Sequence, residues 1–236
     1  MSDNQADLIV HARWIAPVDP QGTVLENHAL VVKDGRIADL LPSALANEKW
    51  QSEDQQHLGD HLLIPGLVNA HTHAAMNLLR GIADDLPLMT WLEKHIWPAE
   101  GRFISESFVY DGTRWAAAEM IRSGTTCFAD MYFFEEEVAM AAEQMGIRVL
   151  AGQTVMNRPL PDADHFEDGI KRAEEFCRGW KHSSLVEPCI APHAPYSLER
   201  NQLIQIMEFS KEHETDVQMH VAESEREEKF ISPVSY

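Results

Sequence analysis

Apolar residues recur along this chain with two different periods, and the change falls near residue 73. Ahead of it, residues 7–18 and 28–41 carry short apolar runs of strand length. Asp34-Gly35 between two such runs is a hairpin signal, since both positions tolerate a left-handed backbone. About the first 60 residues therefore predict a small antiparallel sheet, with a polar segment over 47–60. Beyond residue 73, strand-like runs at 125–130, 148–156, 185–191 and 216–221 alternate with helical stretches. Helices are predicted at 87–95, 104–122, 135–145, 164–180 and 198–213. The fourth is the clearest, with Phe166, Ile170, Ala173, Phe176 and Cys177 at 3.6-residue spacing. Ser123-Gly124 and Gly146 read as helix stops, and Ser197 as a cap with Glu199 in the first turn.

Five strand-then-helix beats imply a parallel sheet, either doubly wound or a barrel. The first strand is the apolar run Leu63-Ile64-Pro65-Gly66-Leu67-Val68-Asn69-Ala70, expected to be buried, and it ends in His71-Thr72-His73. Polar residues then fall at later strand ends: Asp130 on the second, His193 on the fourth, His220 on the fifth. A site built from successive strand ends is how a (β/α)₈ barrel works, whereas a doubly wound sheet gathers ligands at one switch point. The barrel is favoured.

Composition narrows the chemistry. With 236 residues, 44% of them apolar and 24% charged, the chain can bury a sizeable core. Its net charge of −19, from 38 acidic and 19 basic residues, argues against a nucleic-acid partner. No Gly-x-Gly-x-x-Gly or Walker-type loop follows a strand. The start Met1-Ser2-Asp3-Asn4-Gln5 shows no secretory signal and no apolar run is long enough for a bilayer, so the expectation is a cytoplasmic protein with no membrane partner. Cys127, Cys177 and Cys189 lack Cys-x-x-Cys spacing and read as reduced core thiols.

In an extended strand, His71 and His73 share a face. They are either half of a metal site or two ordinary loop histidines. With His220 they would supply three nitrogen ligands, and such a site lowers the pKa of a bound water. Glu223, three residues after His220, is placed to shuttle a proton; alone, that pair reads as a solvated strand end. His193, between two prolines, is either a rigid turn histidine or a substrate contact.

Pro65-Gly66-Leu67-Val68-Asn69-Ala70-His71-Thr72-His73 resembles the first-strand signature of the amidohydrolase superfamily. Leu79-Arg80-Gly81, Asp84-Asp85-Leu86, Trp91-Leu92, Trp97-Pro98-Ala99-Glu100, Asp130-Met131-Tyr132-Phe133, Pro192-His193-Ala194-Pro195-Tyr196 and His220-x-x-Glu223 resemble its 5′-methylthioadenosine/S-adenosylhomocysteine deaminase branch, over residues 7 to 224. The resemblance implies a hydrolase that deaminates an adenine nucleoside thioether to the inosine analogue, with release of ammonia. Its fold would be α/β, a metal-dependent-hydrolase TIM-type (β/α)₈ barrel with a small N-terminal β-sandwich portion.

By the same resemblance, His71, His73 and His220 would hold one divalent metal, zinc or iron. Glu223 would move a proton to the purine ring, Glu100 would hold the ribose hydroxyls, and His193 would contact the substrate. The family's third-strand arginine is replaced by Gln153, with Arg158 a little later as a weaker substrate-binding candidate. Binuclear relatives use a lysine on the fourth strand; this chain has none near that strand's end, which favours a single metal.

The expected organisation is residues 1–60 as the sandwich portion, 61–224 as about five β/α units of an incomplete barrel, and 225–236 as a tail outside the family pattern. The family's later histidine and metal-ligating aspartate are missing, so the chain is read as truncated and inactive alone. Exposed sheet edges suggest self-association or a homo-oligomer. The alternatives are another amidohydrolase (a guanine, cytosine or triazine deaminase, or a chlorohydrolase) and a non-catalytic fragment.

Overall fold

The computed structural model describes residues 4–223, which fall into two units, one ending at Gly66 and the other beginning at Leu67. The expected tail at 225–236 lies outside the described residues. In the first unit, β1 (Leu8–Ile15), β2 (Leu25–Lys33), β3 (Arg36–Pro42) and β4 (Gln55–Leu63) form one sheet in the order β3-β2-β1-β4, with α1 (Ser43–Lys49) between β3 and β4. Asp34 and Gly35, at φ +52° and +69°, make the two-residue turn joining β2 to β3. Both residues are left-handed, which matches the twist of the strands they connect.

The sheet is mixed rather than purely antiparallel, because β4 runs parallel to β1. That strand has its first six residues, 55–60, within the segment read as polar linker. It is an edge strand exposed along nearly its whole length, so its sequence carries no apolar alternation to reveal it. The core of this unit is Ile9, Ala29, Val31 and Ala46, with Leu41 and Trp50 packed against it.

The second unit is a parallel sheet in sequence order: β5 (Leu67–Thr72), β6 (Thr125–Tyr132), β7 (Arg148–Val155) and β8 (Val186–Pro192). After β5 come a 3₁₀ turn (Ala74–Leu79), α2 (Leu88–Trp91), a π turn (Leu92–Ile96), α3 (Trp97–Phe103) and α4 (Glu106–Arg122). Helices α5 (Glu135–Met145), α6 (Phe166–Trp180) and α7 (Arg200–His213) follow the next three strands. Among the described residues the sheet is open, not a closed barrel.

Three expectations need correction here. The fifth strand is reduced to a bridge from Val217 to Ile190, although backbone hydrogen bonds carry the same direction on to His220. Ser197 does not cap α7: its hydroxyl bonds back to Ala194 in a 3₁₀ turn, and Glu199 is the cap residue. The run entering His71 is not buried, since Leu67 is 51% and Val68 67% exposed. β5 is an edge strand that pairs with β6 alone, and its apolar side chains are only partly covered by the described residues.

Helix packing fixes the sheet from behind. Phe128, Val138, Val149 and Phe176 are almost wholly buried in one cluster, each contributing about 1.5–3 kcal/mol relative to exposure. Exposed ion pairs such as Arg80–Glu119 add little in water by comparison. No helix of the described residues is long and apolar enough to cross a membrane.

Helix α4 touches the chain directly behind His73. A Cβ on Gly112 would lie 2.7 Å from the Ala75 carbonyl oxygen, whereas one on Gly179 of α6 would meet open space. Gly112→Ala is expected to lower stability by about 1–3 kcal/mol through overpacking. Gly179→Ala should leave it unchanged or raise it by up to about 1 kcal/mol. Urea unfolding midpoints check both, and equal effects would contradict this packing.

Candidate metal centre

The site begins where β5 ends. His71 lies on the strand and His73 one residue past it, their ring centroids 4.9 Å apart. The His73 Nδ1–H donates to the Met131 carbonyl at 2.6 Å. A carbonyl can only accept, so the proton sits on Nδ1 and the Nε2 lone pair is free. His220 is built the same way, with its Nδ1–H donating to the His193 carbonyl at 2.9 Å. The rings of His71 and His220 are 5.0 Å apart, those of His73 and His220 5.2 Å. One ligand atom from each of the three histidines lies within 4.8 Å of the others.

Burial lowers the His73 pKa to about 4, helped by the neighbouring imidazoles and opposed by the bond to Met131. Burial first, and then His220, also lowers that of His71. Burial favours the neutral imidazole at His71 and His73, and carbonyls anchor the outer nitrogens of His73 and His220, so the donor set fits a borderline divalent metal.

His73, Glu100, His193, His220 and Glu223 line one cavity of about 80 Å³, with Trp97 in its wall. His193 follows β8; burial lowers its pKa to about 3, and its ring meets those of His220 and Tyr196. Glu223 Oε2 accepts the Tyr196 hydroxyl at 2.7 Å. Glu100, on α3 and 7% exposed, accepts the Tyr132 hydroxyl at 2.7 Å. Desolvation raises its carboxyl above the ordinary range, against the pull of Tyr132 and Arg158.

Two adjoining cavities, of about 330 and 350 Å³, share Trp97 and Met156 with this one. Arg158 lines both, its guanidinium 4.2 Å above the Trp97 ring. Gln153, by contrast, is fully buried and donates to Asp162 Oδ2 at 2.9 Å, away from the cavity. Five of the sequence-predicted residues thus share one cavity wall, His71 joins them through its ring contacts, and Arg158 stands next door. Tyr132, Tyr196 and Trp97 sat inside the motifs quoted above without a role. Their partners lie 27 to 61 residues away in sequence, and no local spacing signals them.

A model described as the amidohydrolase family matches residues 62–232. The chain is 43% identical over 222 residues to a 5-methylthioadenosine/S-adenosylhomocysteine deaminase of Saccharophagus degradans, covering 94% of this chain and 50% of that one. It is similar to the crystal structure of an adenosine deaminase from Xanthomonas campestris with bound zinc, at TM-score 0.92 and 39% identity, covering 95% of this chain and 51% of that one. E. coli guanine deaminase, at TM-score 0.77 and 18% identity over 93% of this chain and 53% of that one, shares the fold. The chain spans about half the length of the curated relatives it matches.

The carbonyl anchors predict the tautomers. At pH 7, long-range ¹H–¹⁵N spectra should show His73 and His220 protonated at Nδ1, and His73 should stay neutral to about pH 5. Folded His73 binds a proton more weakly than the unfolded chain, so its contribution to stability falls as pH drops from about 6.5 towards 4. An Nε2-protonated ring at either position would contradict the orientation.

Proposed function

The chain belongs to the amidohydrolase family, and from that premise we propose that it carries the ligand-binding half of a hydrolase converting an adenine nucleoside thioether and water to the inosine analogue and ammonia. The observation that carries this reading is Glu100, a buried carboxylate in the same cavity as His73, His220 and Glu223. A free base offers such a group nothing, whereas a ribose presents two adjacent hydroxyls that one carboxylate can accept together. Tyr132 occupies one acceptor position and leaves the others for the sugar.

His71, His73 and His220 would hold one divalent ion, zinc in preference to iron, which would lower the pKa of the attacking water. Glu223 would take a proton from the attacking water and deliver it to the purine ring nitrogen. The Tyr196 hydroxyl fixes one of its oxygens for the transfer. His193, neutral in its buried setting, contacts the base. Arg158, stacked on Trp97, faces the far end of the thioether, where a homocysteine carboxylate would reach it.

Among the described residues the ligand group is three imidazoles without a carboxylate, which supports the reading that this chain binds but does not turn over by itself. A cytoplasmic setting is part of the proposal, supported by three unpaired cysteines. So is self-association through the exposed β5 edge.

Calorimetry on the metal-loaded chain tests the ligand. Glu100→Gln should weaken 5′-methylthioadenosine binding about tenfold or more and that of adenine hardly at all. Equal losses for both would favour a base deaminase. An ammonia-release assay on the purified 236-residue chain should give no turnover, and appreciable deamination would sink the inactivity reading.

A further inference from the structure

Asp130 is fully buried at the end of β6, directly opposite Thr72 in the β5–β6 register. Its Oδ1 accepts the Ala74 N–H at 2.6 Å and lies 2.5 Å from Thr72 Oγ1, so it grips the residues on both sides of His73. Its backbone carbonyl accepts the Gln218 side-chain N–H at 3.2 Å, two residues before His220. One residue is therefore bonded to both segments that bring histidines to the centre.

The other carboxyl oxygen is placed differently. Asp130 Oδ2 has no hydrogen-bond partner among the described residues, and the fully buried Glu135 carboxyl lies beside it. Two buried carboxyls side by side disfavour each other's ionised form, and burial raises both. Glu135, the first residue of α5 and fully buried, reaches inward from a turn in which Phe134 is left-handed at φ +53°. The Phe134 N–H donates to Asp162 Oδ2 at 2.8 Å, which pins that strained turn.

We propose that Asp130 is the positioning residue of the metal centre: its carboxyl fixes the Thr72–Ala74 turn and so sets where His73 enters. Burial raises the Glu135 carboxyl well above the carboxylate range and Asp130 to about 6. The functional meaning rests on the three histidines holding a metal; the tether itself does not.

Two readouts on the whole chain separate those levels: hydrogen exchange of the Ala74 amide without metal, and cobalt(II) binding followed by its visible absorption. Asp130→Ala should speed Ala74 exchange at least about tenfold and weaken cobalt(II) about 10- to 100-fold. Asp130→Asn keeps an oxygen acceptor and offers Glu135 an N–H, so it should recover most of both. Wild-type exchange and affinity in Asp130→Ala, or losses in Asp130→Asn as large as in Asp130→Ala, would overturn the proposal. If Asp130→Ala does not fold, Thr72→Val decides, with several-fold weaker cobalt(II) expected and unchanged affinity against. If the wild type takes up no cobalt(II), the metal reading fails and Ala74 exchange alone decides the tether.

Discussion

Two backbone carbonyls that can only accept hydrogen bonds determine which nitrogens face the centre. Met131 at the end of β6 takes the Nδ1–H of His73, and His193 just past β8 takes that of His220. Neither ring can turn its Nε2 away without losing that part-buried bond, and a donor left unpaired away from water costs about 1–3 kcal/mol. The centre is therefore assembled where β5, β6 and β8 end and in the residues just past them. Anything that shifts β6 or β8 relative to β5 moves a ring nitrogen, and for that reason the buried cluster around Phe128 and Val149 matters to the chemistry.

Electrostatics and packing work in the same direction. Burial keeps His73 and His193 neutral, and it also raises the Asp130 and Glu135 carboxyls. Buried carboxyl pairs seldom stabilise a fold outright. Their retention here fits a structure that spends stability on holding a short turn in one place.

The alternation of strand and helix was legible because buried parallel strands and amphipathic helices write distinct periods. His71 and His73 were legible as the end of a strand-length apolar run, and His220 only through a strand that the structure reduces to a bridge. Strand β4 was not, since an exposed edge strand needs no apolar alternation. The 216–221 strand was over-read: its apolar pattern is present, but only Val217 forms a bridge. The Tyr132–Glu100 and Tyr196–Glu223 bonds, and the Glu135 side chain behind Asp130, depend on where elements meet in space. No local spacing encodes them.

The central claim is that His71, His73 and His220 together hold a metal ion. X-ray absorption on the zinc-loaded chain measures this directly. The account predicts one zinc per chain with three imidazole nitrogens at about 2.0–2.1 Å, and loss of that shell in His73→Ala. A shell without imidazoles, or one unchanged in His73→Ala, would contradict it.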